Sequence, residues 1–260
     1  MDKKGVRELE RYIGIIVEKI YFFLCNIDSN FEYDWFNKLS LYYNDEKVLI
    51  CDDLAEKLVD TDALQMGATA ERLHDKFPHL TKERADKYAL ASQQKTAAAY
   101  AANKIQPDLI PVATRTAELG WGVATVDEPP RPQTTLEALA ALKTPFRAAG
   151  RVTAGNAAGL NDGATAAILA SESKAKELNL PIKAKLVSFA FAGVEPEIMG
   201  YGPVPSTIKA LAKAGLDITD IGLFEVNEAF GIQVLSFLDH FGIADDDKRV
   251  NIYGGAIAVG

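Results

Sequence analysis

Apolar residues recur at helical spacing from Val6 to Leu24, through Leu9, Ile13, Val17 and Tyr21, which predicts an amphipathic helix near the N-terminus. Leu41 to Ile50 is strand-like. Thr81 to Asn103 reads as one long helix. Thr81 opens it, Glu83 lies in its first turn, an alanine-rich run extends it, and Pro107 ends it. Leu109 to Val112 reads as a short edge strand, because Pro111 has no N–H to give to a ladder. The stretch through Trp121 to the Pro129-Pro130-Arg131-Pro132 cluster reads as loop. Thr134 or Thr135 then caps a helix that has Glu137 in its first turn.

Beyond Gly150 small residues take over. Arg151 to Ala170 predicts a turn followed by a buried helix. Gly155, Gly159 and Gly163 stand four residues apart, and Ala164, Ala166, Ala167 and Ala170 leave room for close backbone approach. Lys183 to Gly193 predicts a strand, Ser206 to Gly215 an amphipathic helix with a glycine stop, and Ile221 to Val226 a strand. Asn227 to Phe241 predicts a helix and Val250 to Tyr253 a strand. This alternation implies a layered α/β body.

Composition divides the chain. The first 50 residues hold ten aromatic residues, among them Tyr21, Phe22, Phe23, Trp35 and Phe36, and no alanine. From Ala63 onward alanine dominates and aromatics thin out, so residues 1–55 read as a separate segment or extension. Its apolar helix is expected to pack on the rest of the chain, or to serve a partner protein. A net charge of −8 argues against nucleic acid as a partner, since phosphate binding needs a basic surface. The longest apolar stretch, Ile13 to Leu24, is interrupted by Glu18 and Lys19 and is too short to span a bilayer, so no membrane partner is expected. Cys25 and Cys51 show no metal-ligand spacing with each other or with His74, His79 and His240, so no metal is expected. No signal peptide is visible, and the expected compartment is the cytoplasm.

Four features carry candidate chemistry. The Gly155–Gly159 segment precedes a predicted helix and could cradle phosphate, but no Lys-Ser/Thr follows it, so a nucleotide P-loop is excluded. Gly200-Tyr201-Gly202-Pro203 is no dinucleotide fingerprint; tight packing is the alternative for both glycine segments. Asn227-Glu228-Ala229-Phe230 lies at a strand-to-helix junction, where α/β folds bind ligands. Asn227 there is either a helix cap or a donor to an oxyanion. Lys143, Arg147 and Arg151, with Arg131 nearby, form either a solvated face or an anion seat, and Pro145 interrupts any shared helix. Neither Cys25 nor Cys51 has the glycine-rich context of a nucleophile.

Six segments in order, Met66–Glu71, Ala91-Ser92-Gln93, Arg151–Ala164, Met199–Pro203, Val226–Phe230 and Asn251–Gly260, resemble the thiolases. The resemblance covers about Leu58 to Gly260. It implies an α/β, thiolase-like layered fold that is incomplete, with an α-rich loop domain over 58–151, the first part of a C-terminal half over 152–260, and an unrelated extension over 1–57. It implies acyl exchange on coenzyme A, by thiolytic cleavage of 3-ketoacyl-CoA or by the reverse Claisen condensation. CoA is then a substrate, and no cofactor is held covalently. By the same resemblance Asn227 positions the water of an oxyanion hole. Ala229 and Phe230 line the pantetheine and acyl pocket, and Arg131 lies by the adenine. Leu142, Ala154, Ala157 and Gly159 line the CoA channel, while Met66 and Met199 pack around the acyl end.

There are departures. The family's nucleophilic cysteine stands upstream of the position of Met66, its histidine follows the glycine matching Gly260, and its second cysteine lies further on. Ala158 stands where serine is common, and Gln65 where histidine often precedes the methionine. The expectation is therefore a chain without thiolysis by itself. It would be a fragment of an acyltransferase, a non-catalytic CoA-binding or protein-interaction module, or one chain of a split thiolase, assembled as a homo-oligomer or with a complementing half.

Overall fold

The computed structural model describes residues 41–43, 46–48, 65–116 and 120–260. The chain divides into two units, Met1–Thr61 and Asp62–Gly260. In the first, β1 (Leu41–Tyr43) and β2 (Glu46–Val48) pair antiparallel, with Leu41 opposite Val48. Within the stretch expected as strand over Leu41 to Ile50, the described residues form these two short paired strands. The helix expected over Val6 to Leu24 falls outside the described residues.

The helices of the second unit are α1 (Met66–Lys76), α2 (Lys82–Ala101), α3 (Leu136–Ala140), α4 (Glu172–Glu177), α5 (Pro203–Ala214), α6 (Gly231–Phe241) and α7 (Ala256–Val259). The core of this unit forms around α6. Every residue of α6 from Gly231 to Leu238 is buried. Such a helix must be covered on all sides. α1, α2 and α5 pack on it, and Leu73, Ala85, Ala89, Ile232, Leu235 and Leu238 share one core. Burying a leucine completely, as at Leu73, Leu235 and Leu238, contributes roughly 1.5–3 kcal/mol each.

The capping expectations hold. The Arg84 N–H donates to Thr81 Oγ1 at 3.2 Å at the start of α2, and Thr135 Oγ1 takes the Ala138 N–H at the start of α3. α5 ends at Gly215, whose φ of +67° suits a residue without Cβ. No helix among the described residues is long and apolar enough to cross a membrane.

Other expectations are corrected. The strand expected over Leu109 to Val112 begins beyond Pro111, as β3 (Val112–Thr116). It pairs antiparallel with β4 (Gly120–Ala124), which takes up Trp121 from the expected loop. Residues 158–170 form no helix, and 159–170 are exposed. Gly159, Asn161, Asp162 and Gly163 are poor helix formers at the start of this run, and a helix as short as the alanines beyond them allow holds only under a covering layer. Residues 183–193 have no strand partner among the described residues. They are held from α5 instead: Lys209 and Lys213 donate to the Phe191 and Phe189 carbonyls at 3.4 and 3.1 Å, and Ser188 Oγ donates to Ala210 O at 2.7 Å. The strands expected over 221–226 and 250–253 meet in one parallel bridge, Phe224 to Val250. α6 begins at Gly231, four residues after Asn227, so Asn227 is not its cap.

Candidate functional site

The segment from Phe224 to Phe230 builds the site. Phe224 N–H donates to Arg249 O and its carbonyl accepts from Asn251 N–H, both at 2.8 Å. Asn251 then uses its side chain as a further rung: Oδ1 accepts from the Val226 N–H and Nδ2 donates to Val226 O, each at 2.8 Å. Asn251 sits at φ +43°, a region asparagine tolerates better than most residues. Beyond Val226, Asn227 is exposed, Glu228 is fully buried, and Ala229, where the chain bends, and Phe230 are half-buried.

A second segment locks this geometry. Ala158 N–H donates to Ala229 O at 3.0 Å and Gly231 N–H to Asn156 O at 2.8 Å, around an antiparallel bridge from Ala157 to Phe230. Asn156 is itself fixed: its amide donates to Asp86 Oδ1 and Arg151 O, and its Oδ1 takes the Thr153 N–H. Phe230 thus holds an extended conformation (φ −147°, ψ 144°) at the helix start.

A cavity of about 760 Å³ opens beside this segment. Met66, Met199, Asn227, Ala229 and Phe230 all line it, so five of the ten candidate residues share one space. The wall is largely apolar, with Leu73, Leu211 and Phe237 contributing. Glu225 lies on it, its carboxyl raised above the ordinary carboxylate value by burial and then by the Glu228 charge.

The other candidates lie elsewhere. Arg131 is exposed; its backbone N–H donates to Gln93 Oε1 at 2.7 Å. Leu142 is 38% exposed and packs with Leu139 tightly on Gly155, where a Cβ would stand 2.5 Å from Leu142 Cδ1. Ala154 and Gly159 are exposed, and only Ala157 among these touches the cavity segment, through its pairing with Phe230. The basic residues form no common anion seat. Arg147 is held by Asp75 at 2.6 Å and Glu71 at 3.1 Å, and its hydrogen bond keeps the Asp75 carboxyl below its ordinary value. Arg151 donates to His74 O at 2.9 Å.

Two residues were not foreseen. Glu228 gathers four donors in the core. Gln233 lines the cavity, while its amide oxygen is buried without a hydrogen-bond partner. For Glu228 the sequence offers no distinguishing signal, since Glu225 and Asn227 are polar neighbours in the same segment.

Comparison with known proteins places this geometry. The family model described as "Thiolase, N-terminal domain" matches residues 38–173, and "Thiolase, C-terminal domain" matches residues 180–260. A 3-ketoacyl-CoA thiolase of Aliivibrio fischeri is 48% identical over 197 residues, covering 75% of this chain and 51% of the relative. An acetyl-CoA acetyltransferase of Pseudomonas aeruginosa is 49% identical over 198 residues, covering 75% and 49%. The crystal structure of human mitochondrial 3-ketoacyl-CoA thiolase superposes with a TM-score of 0.72 at 42% identity, covering 84% of this chain and 55% of that one. The chain spans about half the length of the relatives it matches.

Proposed function

The chain belongs to the thiolase family, and from that premise we propose that its described residues bind an acyl-CoA thioester and stabilise the enolate oxygen that develops on it during acyl transfer. The observation that carries this reading is the convergence of Asn227, Ala229, Phe230, Met66 and Met199 on one cavity. Its apolar wall suits an acyl chain and the pantetheine arm, and the two thioethers adapt to ligand shape. Asn227 is exposed and lines the cavity, so its amide donates to the thioester oxygen directly or through a water. Its backbone is fixed on both sides, by Asn251 at Val226 and by Ala158 at Ala229, which spares reorganisation during the reaction.

CoA is a substrate in this reading, and no covalent cofactor is required. Arg131 offers its guanidinium to the adenine, and Leu142, Ala154, Ala157 and Gly159 line the approach. Cys25 and Cys51 fall outside the described residues, and in this reading the described residues supply binding and oxyanion stabilisation rather than the nucleophile.

The test is calorimetric titration of the 260-residue protein with CoA and acetyl-CoA, followed by mass spectrometry after incubation with labelled acetyl-CoA. Saturable binding is expected, weakened about two- to fivefold by Arg131→Ala, the range of an exposed cation–π contact. No acyl adduct is expected on Cys25 or Cys51. Absence of binding, or an adduct on either cysteine, overturns the assignment.

A further inference from the structure

We propose that Asn251 is a positioning residue for recognition of the thioester oxygen: its side-chain amide pins the peptide plane that carries Asn227, and so sets where the Asn227 amide meets the ligand. This deepens the acyl-CoA reading and rests on it. Phe224 and residues 249–251 begin a parallel ladder, in which Phe224 N–H donates to Arg249 O and Asn251 N–H to Phe224 O. Carried on to Val226, that ladder would join Val226 N–H to Asn251 O and Tyr253 N–H to Val226 O. The chain turns away instead. Asn251 takes φ +43°, and its carbonyl accepts from Gly254 N–H at 3.0 Å. Its side chain makes both missing bonds: Oδ1 accepts from Val226 N–H and Nδ2 donates to Val226 O, each at 2.8 Å.

The bond to Val226 O bears directly on Asn227. The carbonyl of Val226 and the nitrogen and Cα of Asn227 lie in one peptide plane. Holding that oxygen therefore holds the plane from which the Asn227 side chain leaves. On the other side, Glu228 is held by four donors. Asn227 between them is exposed and lines the cavity. An exposed amide on a fixed backbone is what oxyanion recognition needs, because the donor does not have to reorganise when the ligand arrives.

Asparagine suits this task. The residue is 1% exposed, and its amide offers an acceptor and a donor on adjacent atoms, the complement of one residue's N–H and C=O. Nδ2 also donates to Glu228 Oε1 at 2.8 Å. With two acceptors on the nitrogen side, the amide has one orientation and cannot turn its oxygen away from Val226 N–H. A plain continuation of the ladder would bond Val226 without placing a non-glycine residue at positive φ. Strained conformations of this kind gather at functional sites.

The experiment is calorimetric titration of the 260-residue protein, Asn227→Ala and Asn251→Gly with acetyl-CoA and with S-ethyl-CoA, the thioether that lacks the carbonyl oxygen. Glycine adopts positive φ freely, so the turn is kept and only the side chain is lost. Wild type is expected to bind acetyl-CoA about two- to tenfold more tightly than S-ethyl-CoA, the range of one hydrogen bond, and both variants to bring that ratio to about one. Thr81→Ala, which removes the α2 cap outside the cavity, is expected to lower stability and keep the ratio. A merely structural role for Asn251 weakens both ligands together; a wild-type ratio in Asn251→Gly while Asn227→Ala loses it overturns the inference and leaves the acyl-CoA reading standing. So does loss of the ratio in Thr81→Ala, which ties it to stability alone. Amide exchange at Val226 in wild type reads the clamp without any variant, since coupling between ligand and clamp is reciprocal. Saturating acetyl-CoA is expected to slow that exchange more than saturating S-ethyl-CoA; equal protection overturns the inference even where Asn251→Gly does not fold. If wild type shows no ratio, or Asn227→Ala keeps it, the oxyanion assignment of Asn227 fails and the inference fails with it; if neither ligand binds, the whole acyl-CoA reading fails.

Discussion

Ser92 Oγ on α2 donates to Glu228 Oε2 at 2.6 Å, and this bond ties the longest helix to the segment that carries Asn227. Glu228 is fully buried. Its Oε1 also takes the Tyr88 hydroxyl at 3.0 Å and the Asn251 amide at 2.8 Å, and its Oε2 takes the Ile257 N–H at 3.2 Å. One carboxylate thus joins α2, the Asn251 turn and α7. Glu228→Ala orphans these donors in the core and is expected to cost about 3–5 kcal/mol, while Glu228→Gln, which keeps one acceptor oxygen, costs about 1–3 kcal/mol. Urea unfolding of both variants measures this; a Glu228→Ala midpoint equal to wild type refutes the network's role.

The same network makes the fold sensitive to alkali. Burial raises the Tyr88 phenol above its ordinary value, and the Glu228 charge and hydrogen bond raise it further. The folded state therefore holds this proton after the unfolded chain has released it near pH 10. The contribution is complete below that pH and declines as pH rises above it. Unfolding midpoints are expected to fall more steeply above pH ~10 in wild type than in Tyr88→Phe. Parallel curves for the two proteins contradict this origin.

His74 gives a dependence of opposite direction. Burial lowers its pKa, against the raising effects of its contact with the Leu80 carbonyl at 2.6 Å and of Glu71. Its Nε2 is buried without a partner. The unfolded imidazole takes a proton near pH 6.5 that the folded one resists, so this contribution is present above that pH and is lost as pH falls through the lowered value. His74→Gln keeps a donor for Leu80 and removes the titration. The difference in stability between wild type and this variant is expected to shift against wild type on acidification below pH ~6.5; a pH-independent difference refutes it.

What was legible in the sequence follows the range of the forces involved. α2 and α5 were visible because Thr81, the alanine run and Gly215 act locally. Residues 158–170 and 183–193 were misread because period and composition do not reveal whether a covering layer or a strand partner is within reach. For Asn227 the local evidence favours a helix cap over an oxyanion donor. Only the pairing of Ala157 and Ala158 with residues 229 and 230, some 70 positions away, holds Phe230 extended, delays the helix to Gly231 and removes the cap reading. Glu228 is illegible for the same reason. Its role depends on donors from Tyr88, Ser92 and Asn251 that no window of sequence contains.

The turn at Gly254 is the point at which this network admits no side chain. Its φ is +79°, and a Cβ would stand 2.6 Å from the Ser92 carbonyl oxygen and 3.0 Å from the Thr96 backbone nitrogen. Those are backbone atoms inside α2, which cannot yield as a side-chain tip can. Gly254→Ala must therefore push the turn away from α2, lengthening the contact of Gly255 N–H with Ser92 Oγ and that of Ile257 N–H with Glu228. The cost combines left-handed strain of about 1–2 kcal/mol with overpacking of about 1–3 kcal/mol. Gly215→Ala is the control, because φ is +67° there and no atom lies within 4 Å of the new methyl, leaving strain alone. Chemical unfolding is expected to show Gly254→Ala losing about 2–5 kcal/mol against about 1–2 kcal/mol for Gly215→Ala. Faster amide exchange is expected at Gly255 and Ile257 in the first variant only. Equal losses in the two proteins, with exchange at Ile257 unchanged, would show that the turn does not bear on α2.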